Sequence, residues 1–146
     1  MSRQEGTDGA IGAALPFVGR EHELRALATG LARPGRAIVI LRSSPGMGAT
    51  TLMEHLAARV PVARLVGGAE LRHGDLAALT SGGLLIDVLN DVDVGLMPAV
   101  VAACRKPGAR MVGIVRKGAG LPGGSGLLGL ATLDLDLPPL SPGPMA

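Results

Sequence analysis

The sequence predicts an α/β fold in which a parallel β-sheet is covered by helices on two faces. Short apolar runs rich in β-branched residues alternate along the chain with segments that carry hydrophobic residues at helical spacing. Strands of a parallel sheet are buried on both faces, so they read as continuous apolar runs. The chain has 146 residues, of which 47% are hydrophobic, and this length suits one domain with its own core.

Five segments have the apolar character of strands: residues 36–42, 62–67, 84–87, 109–116 and 130–137. Helices are predicted over residues 17–35, about 50–58 and 97–104, the last with Asp93 as its N-cap, and residues 74–80 are predicted to form a short helix or a turn. Strands that alternate with helices in this way form three layers, with the sheet in the middle. We expect residues 1–15 to be a flexible segment, residues 16–141 to form the domain and residues 142–146 to be a tail.

The composition argues against several classes of protein. Phe17 is the only aromatic residue, the net charge is +2, and the basic residues are scattered, so direct nucleic-acid binding is not expected. Cys104 is the only cysteine, which suits a reducing cytoplasm. The chain lacks an uncharged apolar run of the ~18 residues that a membrane helix needs, and its first residues do not resemble a signal peptide. A cytoplasmic protein is therefore expected.

Residues 43–50, SSPGMGAT, join the first predicted strand to a predicted helix, as a phosphate-binding loop does. In such a loop, backbone N–H groups and the positive end of the helix surround an anion. Against the pattern G-x-x-x-x-G-K-[ST], Gly48 and Thr50 match, whereas Ser43 replaces the first glycine and Ala49 replaces the lysine. The loop alone leaves two interpretations open, a phosphate site or a glycine-rich turn without a ligand.

Five motifs in order resemble those of the AAA-like signalling ATPases, the STAND group and its origin-recognition relatives. They are FVGREHELRAL, SSPGMGATTL, LLIDVLNDVD, ARMVGIVRK and LDLDLPPLSP, and they extend from Phe17 to about Ser141. In that family they are the N-terminal motif, the phosphate loop, the acidic strand, the strand that ends in a sensor arginine, and the strand before the helical lid. The resemblance implies a three-layer P-loop NTPase of the RecA/ASCE-like kind, with a five-stranded parallel sheet in the order 5-1-4-3-2.

The same resemblance implies the site residues by position. Thr50 would bind Mg²⁺, Asp87 would support the metal, and Arg116 would sense the γ-phosphate, which makes Asp87 and Arg116 the candidate catalytic residues. The implied nucleotide contacts are Val18, Gly19, Pro45, Gly46, Met47, Gly48, Ala49, Thr50 and Thr51. The implied cofactor is ATP or ADP with Mg²⁺.

Two departures from the family pattern concern catalysis. The lysine position holds Ala49, and the second acid, which polarises the attacking water, is replaced by Val88. Phosphoryl transfer depends on positioning and on charge stabilisation, so we expect a degenerate nucleotide-binding domain. It would bind ATP or ADP weakly or not at all, hydrolyse little or nothing, and act through a protein partner. Two alternatives stay open. One is an active ATPase in which Arg42 or Lys117 replaces the lysine in space, and the other is a truncated remnant of a larger STAND-type transcriptional regulator.

Overall fold

A computed structural model describes residues 20–44, 48–121 and 126–137. Five strands form one sheet: β1 (Ala37–Ser43), β2 (Arg64–Gly67), β3 (Leu84–Asp87), β4 (Arg110–Arg116) and β5 (Leu133–Asp136). All neighbouring strands are parallel, and their order is β2-β3-β4-β1-β5. This is the predicted order read from the other edge, so the predicted sheet is confirmed. The predicted N-terminal segment and tail lie outside the described residues.

Among the residues that the structure describes, three α-helices accompany the sheet: α1 (Glu21–Ala32), α2 (Ala49–Arg59) and α3 (Met97–Cys104). Short 3₁₀ segments cover Gly68–Glu70, His73–Thr80, Leu89–Asp91 and Leu128–Leu130. None of the helices described is long and apolar enough to cross a bilayer.

The predicted role of Asp93 as the N-cap of α3 is wrong. The N-cap is Leu96, and no side chain caps this helix end. Asp93 contributes its backbone carbonyl, which accepts hydrogen bonds from the N–H groups of Leu96 and Met97 at 2.9 and 3.2 Å. The turn before α3 is thus closed by the main chain.

Two hydrophobic clusters lie on opposite faces of the sheet and explain its position in the middle of the fold. Alternate residues of β1 point to opposite faces, so Ile38 and Ile40 join one cluster while Val39 and Leu41 join the other. The first cluster is completed by α3 and neighbouring 3₁₀ segments. The second is completed by buried leucines of α1 and α2, among them Leu24, Leu27, Leu52 and Leu56. The central strand β1 is therefore buried on both faces.

The strand β5 is shorter than the sequence predicts. Residues Leu128–Leu130 form a 3₁₀ turn, and β5 begins at Leu133. The side chain of Thr132 fixes this start, because its Oγ1 accepts a hydrogen bond from Ile38 N at 3.0 Å and donates one to Ile38 O at 3.1 Å. Thr132 thus aligns β5 with β1 before the regular pairing begins.

The buried thiol of Cys104 should make the free energy of unfolding depend on pH in the alkaline range. Its side chain is fully buried, and burial raises the pKa of the thiol to about 12, whereas a thiol in an unfolded chain has a pKa of about 8.5. The unfolded chain therefore loses this proton first, so the contribution of Cys104 to stability is complete below the unfolded pKa and is lost as the pH rises through the folded pKa. Between these values we expect the free energy of unfolding to fall by roughly 1 kcal/mol per pH unit through this group.

Urea unfolding followed by circular dichroism across this pH range measures that slope. The Cys104→Ala chain is the control and should show a shallower pH dependence, whatever its absolute stability. The chain contains no tyrosine and two lysines, so few other groups titrate there. Parallel slopes in the two chains would contradict the prediction.

Candidate functional site

The carboxyl ends of β1, β3 and β4 meet at one edge of the sheet, where ligands of such folds bind. The register pairs Ser43 at the end of β1 with Arg116 at the end of β4, and β3 ends beside them at Asp87. A cavity of about 300 Å³ opens at this edge, and its lining includes Ala49, Thr50, Thr51, Asp87, Val88 and Arg116. Candidate residues from three separate motifs are therefore brought together.

The helix α2 begins at the cavity. Its N-cap is Gly48, whose φ of 80° and ψ of 18° are left-handed, a conformation that glycine adopts without the steric cost of a side chain. The carbonyl of Gly48 accepts a hydrogen bond from Leu52 N at 3.0 Å. The N–H groups of the first helical turn have no acceptor within the helix. With the helix dipole, they give this end of α2 a positive potential that suits an anion.

Thr50 and Asp87 are 37 positions apart in the chain but adjacent in the cavity. The Thr50 hydroxyl donates a hydrogen bond to Asp87 Oδ1 at 3.2 Å. A hydroxyl and a carboxylate oxygen are ligands that Mg²⁺ accepts, and Mg²⁺ usually completes its shell with water and substrate phosphates. This pair fits a Mg²⁺ ion that is held partly by a nucleotide.

Arg116 lies at the end of β4 with an exposed side chain that lines the cavity. Its backbone is fixed by Asn90, whose Oδ1 accepts a hydrogen bond from Arg116 N at 2.7 Å. The amide nitrogen of Asn90 donates to the carbonyls of Ala119 at 3.2 Å and Gly120 at 3.1 Å. Asn90 therefore connects the segment after β3 to the end of β4 and positions Arg116, which lines the cavity; the sequence analysis missed this role.

Replacing Asn90 by alanine should lower the free energy of unfolding by about 1–2 kcal/mol, because several hydrogen bonds are lost together. Amide hydrogen exchange should also become faster between Arg116 and Gly120. Asp91→Ala is the matched control, since Asp91 lies in the same 3₁₀ turn. Equal effects of the two substitutions in chemical denaturation would show that Asn90 does not hold this segment.

The two basic residues considered as substitutes for the lysine are both paired elsewhere. Arg42 donates through Nε and Nη2 to the two carboxylate oxygens of Asp134 at 2.8 and 2.9 Å, and this hydrogen bonding raises the pKa of Arg42. Lys117 forms an ion pair with Asp136. Neither Arg42 nor Lys117 is among the described residues that line the cavity. These ion pairs and positions therefore count against either residue replacing the missing lysine in space.

Val88 follows Asp87 directly and has a φ of 71°. A positive φ is a genuine outlier for a β-branched residue, since the side chain crowds the backbone there. The Val88 side chain lines the cavity but can neither accept a proton nor orient water. The position that the resemblance assigns to a catalytic acid is therefore apolar.

The remaining residues of the predicted site are Ser43 and five of the predicted nucleotide contacts. Ser43, in the position of the first loop glycine, is buried and donates a hydrogen bond from its Oγ to Ser44 O at 3.0 Å. Five predicted nucleotide contacts, Val18, Gly19, Pro45, Gly46 and Met47, lie outside the described residues.

Known structures share this fold. A variant of RuvB from Thermotoga maritima matches with 25% sequence identity and a TM-score of 0.54, over 83% of this chain and 46% of that chain. The P-loop NTPase domain of the sigma-54 transport activator from E. coli matches with 14% identity and a TM-score of 0.50, over 84% of this chain and 98% of that domain. No protein-family model matches the sequence.

These similarities show the fold of the chain. The chain has the α/β fold of the AAA-like P-loop ATPases, as its sequence motifs predict. It spans less than half of the RuvB chain that it matches.

Proposed function

We propose that this chain is a degenerate nucleotide-binding domain of the P-loop type, which takes ATP or ADP with Mg²⁺ and hydrolyses little or none of it. The observation that carries the proposal is the pair of Thr50 and Asp87, whose oxygens lie 3.2 Å apart at the N-terminus of α2. A hydroxyl and a carboxylate beside a helix N-terminus suit a metal bound to phosphates.

Each candidate residue has a distinct part in binding. The first-turn amides of Ala49, Thr50 and Thr51 would donate hydrogen bonds to phosphate oxygens. Thr50 and Asp87 would hold Mg²⁺, which supplies charge neutralisation at the phosphates when bound. Arg116, at the rim of the cavity, would neutralise the outermost phosphate. ATP would thus gain one contact that ADP lacks.

Two positions explain why hydrolysis should be slow. Ala49 presents a methyl group where a cation would stabilise the transferred phosphoryl group, and Val88 cannot activate the attacking water. Removal of one electrostatic stabiliser of a transition state typically costs about 3–4 kcal/mol of barrier height. A domain that binds a nucleotide without turning it over suits a regulatory role, so we propose that it acts by contact with a protein partner.

Isothermal titration calorimetry with ATP and Mg²⁺ tests the proposal. We expect the wild-type chain to bind and Thr50→Ala to weaken binding about tenfold, because a hydroxyl ligand and its hydrogen bond are lost. Chelation of Mg²⁺ should remove the difference between the two chains. Thr80→Ala is the control, since Thr80 lies in the 3₁₀ segment His73–Thr80 away from the cavity.

Three outcomes would decide against the proposal. No binding of ATP or ADP at millimolar concentration would favour a remnant without a ligand. Equal affinities of the Thr50→Ala and Thr80→Ala chains for ATP would refute the proposed role of Thr50 in binding Mg²⁺. Phosphate release that disappears in Asp87→Asn but persists in the control Asp91→Asn would identify an active ATPase.

A further inference from the structure

A second cavity of about 590 Å³ lies on the face of the sheet that α1 covers. It is a groove bounded by α1 and by the starts of β1 and β5, and its lining includes Ala37 and Leu133. The candidate nucleotide site lies at the opposite end of β1. The groove is therefore a separate feature, and its volume is within the range of about 300–1,000 Å³ typical of ligand pockets.

Gly30 contributes open space to the groove, because it has no side chain there. A Cβ atom at this position would lie 3.9 Å from Val39 Cγ2 and 4.0 Å from Leu133 Cδ2, which is ordinary van der Waals contact. A larger side chain could thus pack onto these two residues and fill the space. Glycine inside a helix costs about 0.5–1 kcal/mol relative to alanine, and here it leaves an apolar floor open.

Three exposed arginines, Arg25, Arg33 and Arg36, line this floor and form what we term the arginine rim. His22 lies beside them, and no described residue of the lining is a carboxylate. Three other arginines form ion pairs: Arg42 with Asp134, Arg59 with Glu21 and Arg64 with Asp75. Within the described ranges, the arginine rim forms no ion pair. Positive charge is therefore concentrated around an apolar groove.

We propose that this groove binds an acidic, amphipathic peptide segment of a partner protein. Aliphatic side chains of the peptide would pack on Leu133 and Gly30, which are half-buried, whereas Val39 beneath them is buried. Its carboxylates would pair with the arginine rim, because guanidinium groups bind carboxylates through two parallel hydrogen bonds. A nucleic acid would use the charges but leave the apolar floor without a partner, so the combination favours a peptide. The proposal does not depend on nucleotide binding.

The test is a titration of the isotope-labelled chain, followed by NMR, with a short synthetic peptide of leucine and glutamate. The same peptide with lysine in place of glutamate is the control ligand, and a short DNA duplex is the third probe. We expect the glutamate peptide to shift the amide signals of Thr29, Gly30, Ala37 and Leu133, and to bind more weakly at high salt. The lysine peptide should leave these signals unchanged.

Two substitutions separate charge from shape. Arg33→Glu should weaken binding of the glutamate peptide roughly tenfold, because an attraction becomes a repulsion. Arg105→Glu should have no effect, and it is a matched control because Arg33 and Arg105 are both exposed C-cap residues, of α1 and α3 respectively. Gly30→Leu keeps every charge but fills the floor, and it should also weaken binding about tenfold by excluding the peptide side chains.

Three results would overturn the proposal. The first is an unchanged spectrum with the glutamate peptide at millimolar concentration. The second is an equal effect of Arg33→Glu and Arg105→Glu. The third is binding of the DNA duplex that is tighter than binding of the glutamate peptide, is lost in Arg33→Glu and is kept in Gly30→Leu. That result would mean that the arginine rim binds the phosphate groups of a nucleic acid. Thermal unfolding of each variant confirms that a loss of binding does not reflect a loss of fold.

Discussion

Replacing Gly68 by alanine should lower the free energy of unfolding by about 3 kcal/mol. A Cβ atom at Gly68 would lie 2.0 Å from the carbonyl oxygen of Val88 and 3.3 Å from the backbone nitrogen of Val92. Both neighbours are main-chain atoms, so no side chain can rotate away, and one of the two segments must move. Overpacking of this kind typically costs 1–3 kcal/mol, and the cost is at the upper end when the backbone must shift.

The movement should also reach the site, because Val88 directly follows Asp87. We therefore expect Gly68→Ala to weaken nucleotide binding as well as the fold. Gly74→Ala is the matched control, since Gly74 has a negative or extended φ and nothing within 4 Å of an added Cβ. Its stability in urea should change by less than about 1 kcal/mol. If Gly68→Ala were as stable as Gly74→Ala, the close packing of the Gly68 and Val88 backbones would be refuted.

Replacing Ala49 by lysine should raise the affinity for ATP with Mg²⁺ by about 2 kcal/mol, or roughly thirtyfold. Ala49 is the first residue of α2 and lines the cavity, so a lysine there can extend towards the bound phosphates. Hydrogen bonds to a charged group are worth about twice those between neutral groups. Calorimetry on the variant and on the wild-type chain gives the two affinities directly.

Ala49→Met is the control for this repair, because methionine adds comparable length without charge. We expect it to leave affinity close to that of the wild type. Phosphate release should stay near background in Ala49→Lys, since Val88 still occupies the position of the catalytic acid. An unchanged affinity in Ala49→Lys would mean that the loop no longer presents its amides to phosphates.

The sequence predicted the strands of the sheet best, because the central strands are buried on both faces. The strands β1, β3 and β4 are covered on both faces, so each reads as an unbroken apolar run and was predicted within a residue or so of its bounds. The sequences of the edge strands β2 and β5 are less apolar, so their bounds were predicted less well. β2 starts at Arg64, two residues later than predicted, and β5 alternates half-buried leucines with exposed aspartates.

The site was only partly predictable. Sequence motifs named Thr50 and Asp87, which the fold brings into contact. Asn90 was missed because its partners lie 26 to 30 positions away, and no local pattern marks an asparagine that spans two strand ends. The pairing of Arg42 and Lys117 with Asp134 and Asp136 was likewise hidden, since it depends on the register of β5 beside β1.

On the proposed function, the left-handed backbone at Val88 sets a condition on how this domain could hydrolyse a nucleotide. Its φ of 71° fixes the direction in which any side chain at this position leaves the main chain. A glutamate at this position would leave the main chain in the same direction. Its carboxylate would have to reach the attacking water molecule from there. A new acid at this position would therefore act only if the backbone after β3 directs it towards that water, and the charge missing at Ala49 would still have to be supplied.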